Sequence, residues 1–320
     1  MLVEKAYGDY TDFRIPGMVV TEKGSILRYC ECRKSSSDWA DIDIKVSRST
    51  DEGKTWQTVL LIESGGNTLN NPVMFVCGKK LIFLYCKNYR EVYKCVSNDD
   101  GESFSETSRV DFENGVNFPY TVVALGPGHG IYHGGRLTVP AWFANDPEDE
   151  KAHKPSFATT FYSDDRGESW HVGEPIFKDV LKNGSEGALA VIADGEYLIS
   201  LRHEGQKRTR ALALSPDGIS GWHSLRFEEK LLDPICMGSM THGGGLIYHI
   251  NCDTVGTDLF WTSQSRTNLT LKVSDDEFKS YRAIPISELG GYSDVALLGE
   301  RVCVLYEKTK KPFELFFEIF

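Results

Sequence analysis

The chain has 320 residues, a formal net charge of −11 and a sequence pI near 5.3. This acidic balance argues against nucleic acid or an anionic membrane surface as a partner, because both would be repelled. Hydrophobic residues make up 41% and charged residues 25%, as in ordinary globular domains, and no apolar run approaches the roughly 18 residues of a membrane span. An anionic substrate would therefore need positive charge concentrated in one place.

The amino-terminal segment and the cysteines bear on the cellular compartment. Met1–Tyr10 holds charges and no apolar core of a secretory signal. We therefore expect a cytoplasmic protein, or a secreted or periplasmic one if a signal has been removed. No CxxC pair and no metal-ligand spacing with histidine occurs, so we expect free, buried thiols, no metal ion and no cofactor. The cysteines in or beside apolar runs are Cys30, Cys77, Cys86, Cys95, Cys252 and Cys303.

Short strand-like segments follow one another along the chain, and helical periodicity is almost absent. Asp41–Val46 alternates polar and apolar residues, whereas Lys80–Tyr85 and Val302–Tyr306 are short apolar runs of the kind found in buried strands. The 30 glycines interrupt these runs and mark turns. The pattern indicates an all-β protein.

An eight-residue motif of the form S-x-D-x-G-x-[TS]-[WF], an Asp box, recurs along the chain. Clear copies lie at Ser49–Trp56, Ser97–Phe104 and Ser163–Trp170. Ser215–Trp222 is a weaker copy with altered internal spacing, and Ser274–Tyr281 has lost the glycine. In a hairpin turn of this kind the Asp caps backbone amides, the Gly supplies a positive φ, and the aromatic residue folds back onto the sheet.

The spacing of the five motifs predicts the architecture. Repeats of roughly 50 to 65 residues are typical of propeller blades, and 320 residues provide about six of them. We therefore predict an all-β, six-bladed β-propeller in which residues 1–320 form one domain. The strand-like segment Phe313–Phe320 should complete the blade that the amino terminus begins, because the ring of blades must close.

A Phe-Arg-Ile-Pro motif near the start of the chain surrounds Arg14 with apolar residues. A buried arginine is rare unless it is paired, so we expect a fixed, inward-pointing guanidinium. This motif, together with the Asp boxes, resembles the exo-sialidases, the glycoside hydrolase family that includes bacterial and mammalian neuraminidases. The resemblance extends from Arg14 to Glu307 and implies an enzyme that removes terminal sialic acids.

The resemblance implies a group of arginines that bind the substrate carboxylate. Arg14, Arg202 and Arg266 would form a triad around that carboxylate. Arg33 would contact the substrate near it, and Glu307 would brace Arg14. Several guanidiniums can bind one carboxylate bidentately and from the sides, which would reconcile an acidic protein with an anionic substrate.

The resemblance also implies three catalytic residues. Tyr292 would be the nucleophile, Glu186 its base, and Asp38 the general acid and base, with Asp41 a nearby second candidate for that last role. A carboxylate on the anomeric carbon would repel an Asp or Glu nucleophile, whereas a neutral tyrosine avoids the repulsion. Tyrosine needs a base because its ordinary pKa is near 10.

Two stretches depart from the family pattern. Asn70–Cys77 resembles a segment that usually ends in Asp, and that Asp is missing here. Trp142 and Phe143 stand in a region that often lines the pocket for the acylamino group. Their bulk leaves N-acetyl, N-glycolyl and hydroxyl sugars open.

Several activities remain open on these residues. The first is hydrolysis by an exo-α-sialidase of sialylated glycans; the second is transfer, or intramolecular release of an anhydro sugar, by the same residues. The third is a non-catalytic glycan-binding propeller, which would need only the arginines, so Tyr292, Glu186 and Asp38 favour an enzyme. A uronate-cleaving lyase is a more distant alternative, because it would want a metal or histidine site. The sequence does not predict the linkage preference or the oligomeric state.

Overall fold

The computed structural model of the protein describes residues 1–112, 115–256 and 265–320. Within these ranges 25 β-strands form six antiparallel sheets, each of which is one blade. The arrangement confirms the predicted all-β, six-bladed propeller. The same ranges contain no helix long and apolar enough to cross a membrane.

The strands follow chain order within the blades. The amino-terminal strand and those of the first three blades are β1 (Leu2–Glu4); β2 (Asp12–Val20), β3 (Ile26–Arg33), β4 (Ile42–Ser49), β5 (Gln57–Ile62); β6 (Leu69–Cys77), β7 (Lys80–Lys87), β8 (Glu91–Ser97), β9 (Ser108–Val110); β10 (Val122–Leu125), β11 (Ile131–His133), β12 (Arg136–Ala144), β13 (Ser156–Ser163) and β14 (His171–Val172). Those of the last three blades are β15 (Gly187–Val191), β16 (Tyr197–Leu201), β17 (Thr209–Ser215), β18 (His223–Leu232); β19 (Ser239–Gly243), β20 (Leu246–Cys252), β21 (Thr267–Ser274), β22 (Arg282–Leu289); β23 (Ser293–Leu298), β24 (Arg301–Lys308) and β25 (Glu314–Ile319).

The strand directions assign the two faces of the propeller. Because neighbouring strands are antiparallel, the start of each innermost strand, the connection between the second and third strands, and the end of the second strand lie on one face. Arg14, Asp38, Glu186, Arg202 and Tyr292 all belong to such segments. The Asp boxes connect third to fourth strands and therefore lie on the opposite face.

All five Asp boxes form, including the two weak copies. In the box at Ser274, the serine hydroxyl donates to Asp276 (2.8 Å) and accepts the backbone amide of Phe278 (2.9 Å), as Ser49 does with Asp51 (2.8 Å) and the amide of Gly53 (2.8 Å). Phe278 occupies the glycine position with a φ of 70° and is fully buried. The missing glycine therefore marks a strained but intact turn.

Gly101 illustrates why most boxes keep the glycine. Its φ is 81°, and a Cβ built there would lie 2.4 Å from a methyl carbon of Leu27 in the preceding blade. The glycine thus serves both the turn and the packing of one blade on the next.

Strand β4 differs from what its alternating pattern suggests. Asp43 and Lys45 are buried rather than solvated. Lys45 Nζ pairs with Glu4 Oε1 at 2.6 Å, and Asp43 accepts a hydrogen bond from Tyr10 Oη at 2.5 Å. These two buried polar side chains are therefore paired with the amino-terminal segment, and Asp43 also accepts the backbone amide of Ser64 at 2.7 Å.

The ring closes through the amino terminus. Strand β1 pairs with β25 and becomes the outer strand of the last blade, and the amino nitrogen of Met1 donates to the carbonyl of Phe317 at 2.7 Å. The predicted pairing of the terminal segments in one blade is confirmed. Glu4 also binds Arg28 of the first blade at 3.1 Å, so β1 joins the last blade to the first.

A buried carboxylate joins the blades at the axis. Asp294, fully buried at the start of β23, accepts the backbone amide of Met18 at 2.7 Å and the hydroxyl of Ser239. Its Oδ1 lies 2.8 Å from His129 Nδ1, in the connection before β11. Burial would lower the pKa of His129, but the charge of Asp294 outweighs burial and raises it. Four blades meet at this one side chain.

Candidate active site

Arg14 is fixed in the floor of a cavity on the first face. Its Nε and Nη2 donate to Glu307 Oε2 and Oε1 at 3.2 and 2.8 Å. Glu307 is fully buried and also accepts the backbone amides of Ile15 (3.3 Å) and Tyr292 (3.2 Å). The guanidinium carbon lies 4.7 Å from the ring centroid of Phe313. Glu307 therefore sets the orientation of the Arg14 guanidinium within the cavity.

Tyr292, Glu186 and Arg202 form a hydrogen-bonded group beside Arg14. The Tyr292 hydroxyl donates to Glu186 Oε1, and Arg202 Nη1 donates to the Tyr292 oxygen at 2.9 Å and to Glu186 Oε2. The guanidinium carbons of Arg266 and Arg14 lie 5.2 and 5.4 Å from the Tyr292 ring centroid. The ring is thus flanked by cationic groups while its hydroxyl faces a carboxylate.

The electrostatics of this group keep the tyrosine protonated. Burial and then the negative charge of Glu186 raise the pKa of Tyr292 well above its ordinary value, although Arg202 and Arg266 act in the opposite direction. The neutral phenol can therefore lose its proton only to a base in direct contact, and Glu186 is in that position.

Arg33 links Asp38 to the buried interior. Its Nε and Nη2 donate to Glu31 Oε2 at 2.8 and 2.5 Å, and its Nη1 donates to Asp38 Oδ1 at 2.7 Å. Arg33 and Glu31 are fully buried, whereas 38% of the Asp38 side chain is exposed to the cavity and solvent. Burial alone would raise the pKa of Asp38, but Arg33 and Arg14 outweigh burial and lower it to about 2.

Asp41, the second candidate for the role of acid, lies elsewhere. Its carboxylate accepts hydrogen bonds from Ser64 Oγ and from Lys34 Nζ, the latter at 2.9 Å, and it does not line the cavity. Of the two aspartates, the structure brings only Asp38 to the arginine cluster.

The residues predicted from the sequence thus meet at one place. Glu307 lies behind Arg14, and the other seven line the same cavity. These seven are Arg14, Arg33, Asp38, Glu186, Arg202, Arg266 and Tyr292.

Three further residues of this region were missed in the sequence. Tyr89 lines the cavity, is 3% exposed and has a φ of 50°, and His153 lines the cavity beside it. Trp39 follows Asp38 and packs against Tyr89, with ring centroids 4.8 Å apart. One signal was available for Trp39, because it is the one large apolar side chain in the loop of residues 34–41. Tyr89 and His153 are brought in only by the fold.

The two departures from the family pattern have different outcomes. Trp142 lines the cavity, but Phe143 is buried in the core between the second and third blades, because successive side chains of a strand point to opposite faces. The expectation that both line a pocket was wrong for Phe143. In β6, Asn71 lines the cavity while Cys77 lies at the other end of the strand, about 20 Å away. The position at which the family usually has Asp is therefore far from the site.

Neither the cysteines nor the carboxylates of the described residues are grouped as metal ligands. All eight cysteines are free and buried, as predicted. Among the described residues, no three His, Cys, Asp or Glu side chains are grouped as metal ligands. Four arginines, with Lys154, provide the positive charge of the cavity.

Six blades, five of them with Asp boxes, around an arginine-lined cavity with a paired tyrosine and glutamate define a class, the sialidase-type propellers. A family model described as a BNR repeat-like domain matches residues 28–297. The chain belongs to this family of BNR-repeat proteins, which includes the sialidases.

Known relatives are similar over most of the chain at low identity. A sialidase of Bacteroides fragilis is 25% identical over 93% of this chain, which spans 60% of the length of that relative. The structure of a Hadza microbial sialidase has a TM-score of 0.79, at 24% identity, covering 96% of this chain and 65% of the other. An intramolecular trans-sialidase from Ruminococcus gnavus has a TM-score of 0.74 at 14% identity, covering 99% and 94%. At these identities the structural likenesses establish the fold.

Proposed function

We propose that the protein is an exo-α-sialidase that hydrolyses terminal sialic acids from glycoconjugates with retention, through a tyrosine-linked intermediate. The observation that carries the proposal is the direct contact of Tyr292 with Glu186 and Arg202 in a cavity that also contains Asp38. A binding protein would need the cations alone. The names of the relatives, sialidases of bacterial and animal origin, support the same reaction class.

The arginines provide the binding step. Arg14, Arg202 and Arg266 surround the Tyr292 ring, so a substrate carboxylate bound among them lies next to the phenol oxygen. The carboxylate of a sialoside is attached to the anomeric carbon itself. Binding therefore brings that carbon within reach of Tyr292, and the bound anion compensates part of the positive charge of the arginines.

The first chemical step forms a bond between Tyr292 Oη and the anomeric carbon. Glu186 accepts the phenol proton as this bond forms, because it already accepts the phenol hydrogen bond. Asp38, in its protonated form, gives a proton to the glycosidic oxygen as the bond to the aglycone breaks. The aglycone leaves as a neutral alcohol.

The second step reverses the roles. Asp38, now a carboxylate, takes a proton from water, whose oxygen attacks the anomeric carbon from the side that the aglycone left. The bond to Tyr292 breaks, and Glu186 returns its proton to the phenolate. Two inversions at one carbon give net retention.

Turnover of a fluorogenic α-sialoside by the purified chain tests the proposal. We expect release by the wild type at some pH between about 4 and 8, and a loss of roughly 10³-fold or more in Tyr292→Phe. Tyr162→Phe, in β13 away from the cavity, is the matched control and should retain wild-type turnover. An inactive wild type would refute the proposed enzymatic activity. An active Tyr292→Phe would refute only the assignment of Tyr292 as the nucleophile. Proton NMR of the first product separates hydrolysis from release of an anhydro sugar.

A further inference from the structure

Asp38 lies on a loop and is held to the arginine cluster by the side chain of Arg33. The loop connects β3 to β4, and residues 34–37 of it are exposed. The carboxylate is held by Arg33 Nη1 at 2.7 Å. Under the proposed function this residue must be neutral when it gives a proton to the leaving oxygen. Its ion pair with Arg33 then weakens to a hydrogen bond to an uncharged acid, at the step in which the position of Asp38 matters most.

A contact that does not depend on the charge of Asp38 is provided by its neighbour, Trp39. The Trp39 ring packs against Tyr89 at 4.8 Å and His153 at 5.9 Å between centroids. Its Nε1 donates to the carbonyl of Lys151 at 3.2 Å, and Lys151 Nζ lies 5.5 Å from the ring centroid. Trp39 therefore ties the Asp38 loop to the second and third blades.

The surface that receives Trp39 is well fixed. Tyr89 belongs to a buried cluster with Trp142, on which Trp39 packs. The loop that provides Lys151 is closed at its base, where the Asn145 amide donates to the Pro155 carbonyl at 3.2 Å. Inside the loop the Lys151 amide donates to Asp149 Oδ1 at 2.9 Å, which holds the backbone of the acceptor carbonyl.

We propose that Trp39 is a positioning residue for acid catalysis, which holds Asp38 against the glycosidic oxygen while the ion pair with Arg33 is weakened. The proposal rests on the proposed function. Its particular consequence is that loss of Trp39 should harm the protonation of the leaving group and leave substrate binding and nucleophilic attack largely intact.

Comparison of two substrates tests this consequence. The leaving group of a 2→3-linked sialyl-lactose is an alcohol, a poor leaving group that must be protonated by the acid. The leaving group of a 4-methylumbelliferyl α-sialoside is an acidic phenol, which leaves with little help from the acid. We expect Trp39→Ala to lower kcat/KM about 10- to 100-fold on sialyl-lactose, since small misplacement of a catalytic group has effects of this size, and less than about threefold on the aryl sialoside. Because kcat/KM reports the steps up to the first bond cleavage, hydrolysis of the intermediate does not mask the effect.

Two variants serve as controls. Trp39→Phe keeps the ring contacts and removes the donor to Lys151, so it should retain part of the activity on sialyl-lactose. Trp56→Phe makes the same exchange in an Asp box on the opposite face. It should leave kcat/KM unchanged for both substrates. Asp38→Ala should show the same substrate dependence as Trp39→Ala and exceed it in size.

The outcomes separate the two proposals. Equal losses on both substrates in Trp39→Ala, or a change in KM alone, would overturn the positioning role while Asp38→Ala still supports the enzyme. Absence of any substrate dependence in Asp38→Ala would overturn the assignment of the acid, and an inactive wild type would overturn both proposals. Circular dichroism of Trp39→Ala identifies a fold defect, which would also overturn the specific role.

Discussion

At the level of single residues, the arginines control the charge of Asp38. Burial would raise its pKa, but Arg33 and Arg14 outweigh burial and lower the pKa to about 2. A substrate carboxylate bound to Arg14 offsets part of this positive charge. The pKa of Asp38 should therefore rise when substrate binds, which is the change that a general acid requires.

Proton uptake on binding follows from this shift. A group whose pKa rises on binding takes up protons at pH values between its free and bound pKa. We expect binding of N-acetylneuraminic acid near pH 4 to be accompanied by net uptake, measured by calorimetry in buffers of different ionisation enthalpy. The uptake should disappear in Asp38→Asn and persist in Asp41→Asn, and the reverse result would exchange the two aspartates.

Glu307 allows a second test at this scale. Glu307 is fully buried and compensates the charge of Arg14, so Glu307→Gln leaves the largely buried guanidinium of Arg14 uncompensated beside Arg202 and Arg266. We expect the free energy of unfolding to fall by about 3 kcal/mol. Glu52→Gln is the matched control: it breaks a two-bond pair with Arg301 whose side chains are 46% and 45% exposed, and it should leave the free energy of unfolding nearly unchanged. Urea denaturation measures both, and equal losses would contradict the expectation.

At the level of elements, two opposite effects on stability meet in the fifth Asp box: backbone strain and the burial of an aromatic side chain. Phe278 has a left-handed φ of 70° yet fills a buried cluster between the fourth and fifth blades. Phe278→Gly relieves about 1 kcal/mol of backbone strain but removes a buried aromatic side chain worth about 3–5 kcal/mol. We therefore expect a net destabilisation of about 2–4 kcal/mol in urea denaturation. A more stable Phe278→Gly would mean that the strain dominates.

The elements also show which parts of the fold and the site could be predicted from the sequence. Asp boxes are local motifs, since Ser49, Asp51 and Gly53 bond within one turn, and their spacing therefore predicted the blades. The buried polar face of β4 was not predictable, because its partner Glu4 enters from the last blade. Tyr89 likewise owes its place beside Asp38 to the packing of two blades. Motifs with internal bonds could be predicted, and contacts between distant segments could not.

At the level of the whole molecule, Glu4 holds the ring together. It is buried between Arg28 and Lys45, which are 4% and 7% exposed, and Glu4→Gln would leave both cations with reduced compensation. We expect a loss of about 3 kcal/mol in the free energy of unfolding. The exposed Glu22→Gln should be neutral in the same urea titration. A neutral Glu4→Gln would show that β1 contributes little to closure.

The closure has a practical consequence for rearranging the chain. Met1 and Phe317 are in direct contact at the outer edge of one blade, and Phe320 follows about 10 Å further along the strand, so a linker of a few residues can join the two ends. New ends could be opened between Gly244 and Gly245, an exposed turn with open space around both residues on the face opposite the cavity. We expect such a circular permutant to fold and to keep the wild-type turnover of an α-sialoside, because β19 and β20 stay paired across the new opening, as β1 and β25 pair at the present ends.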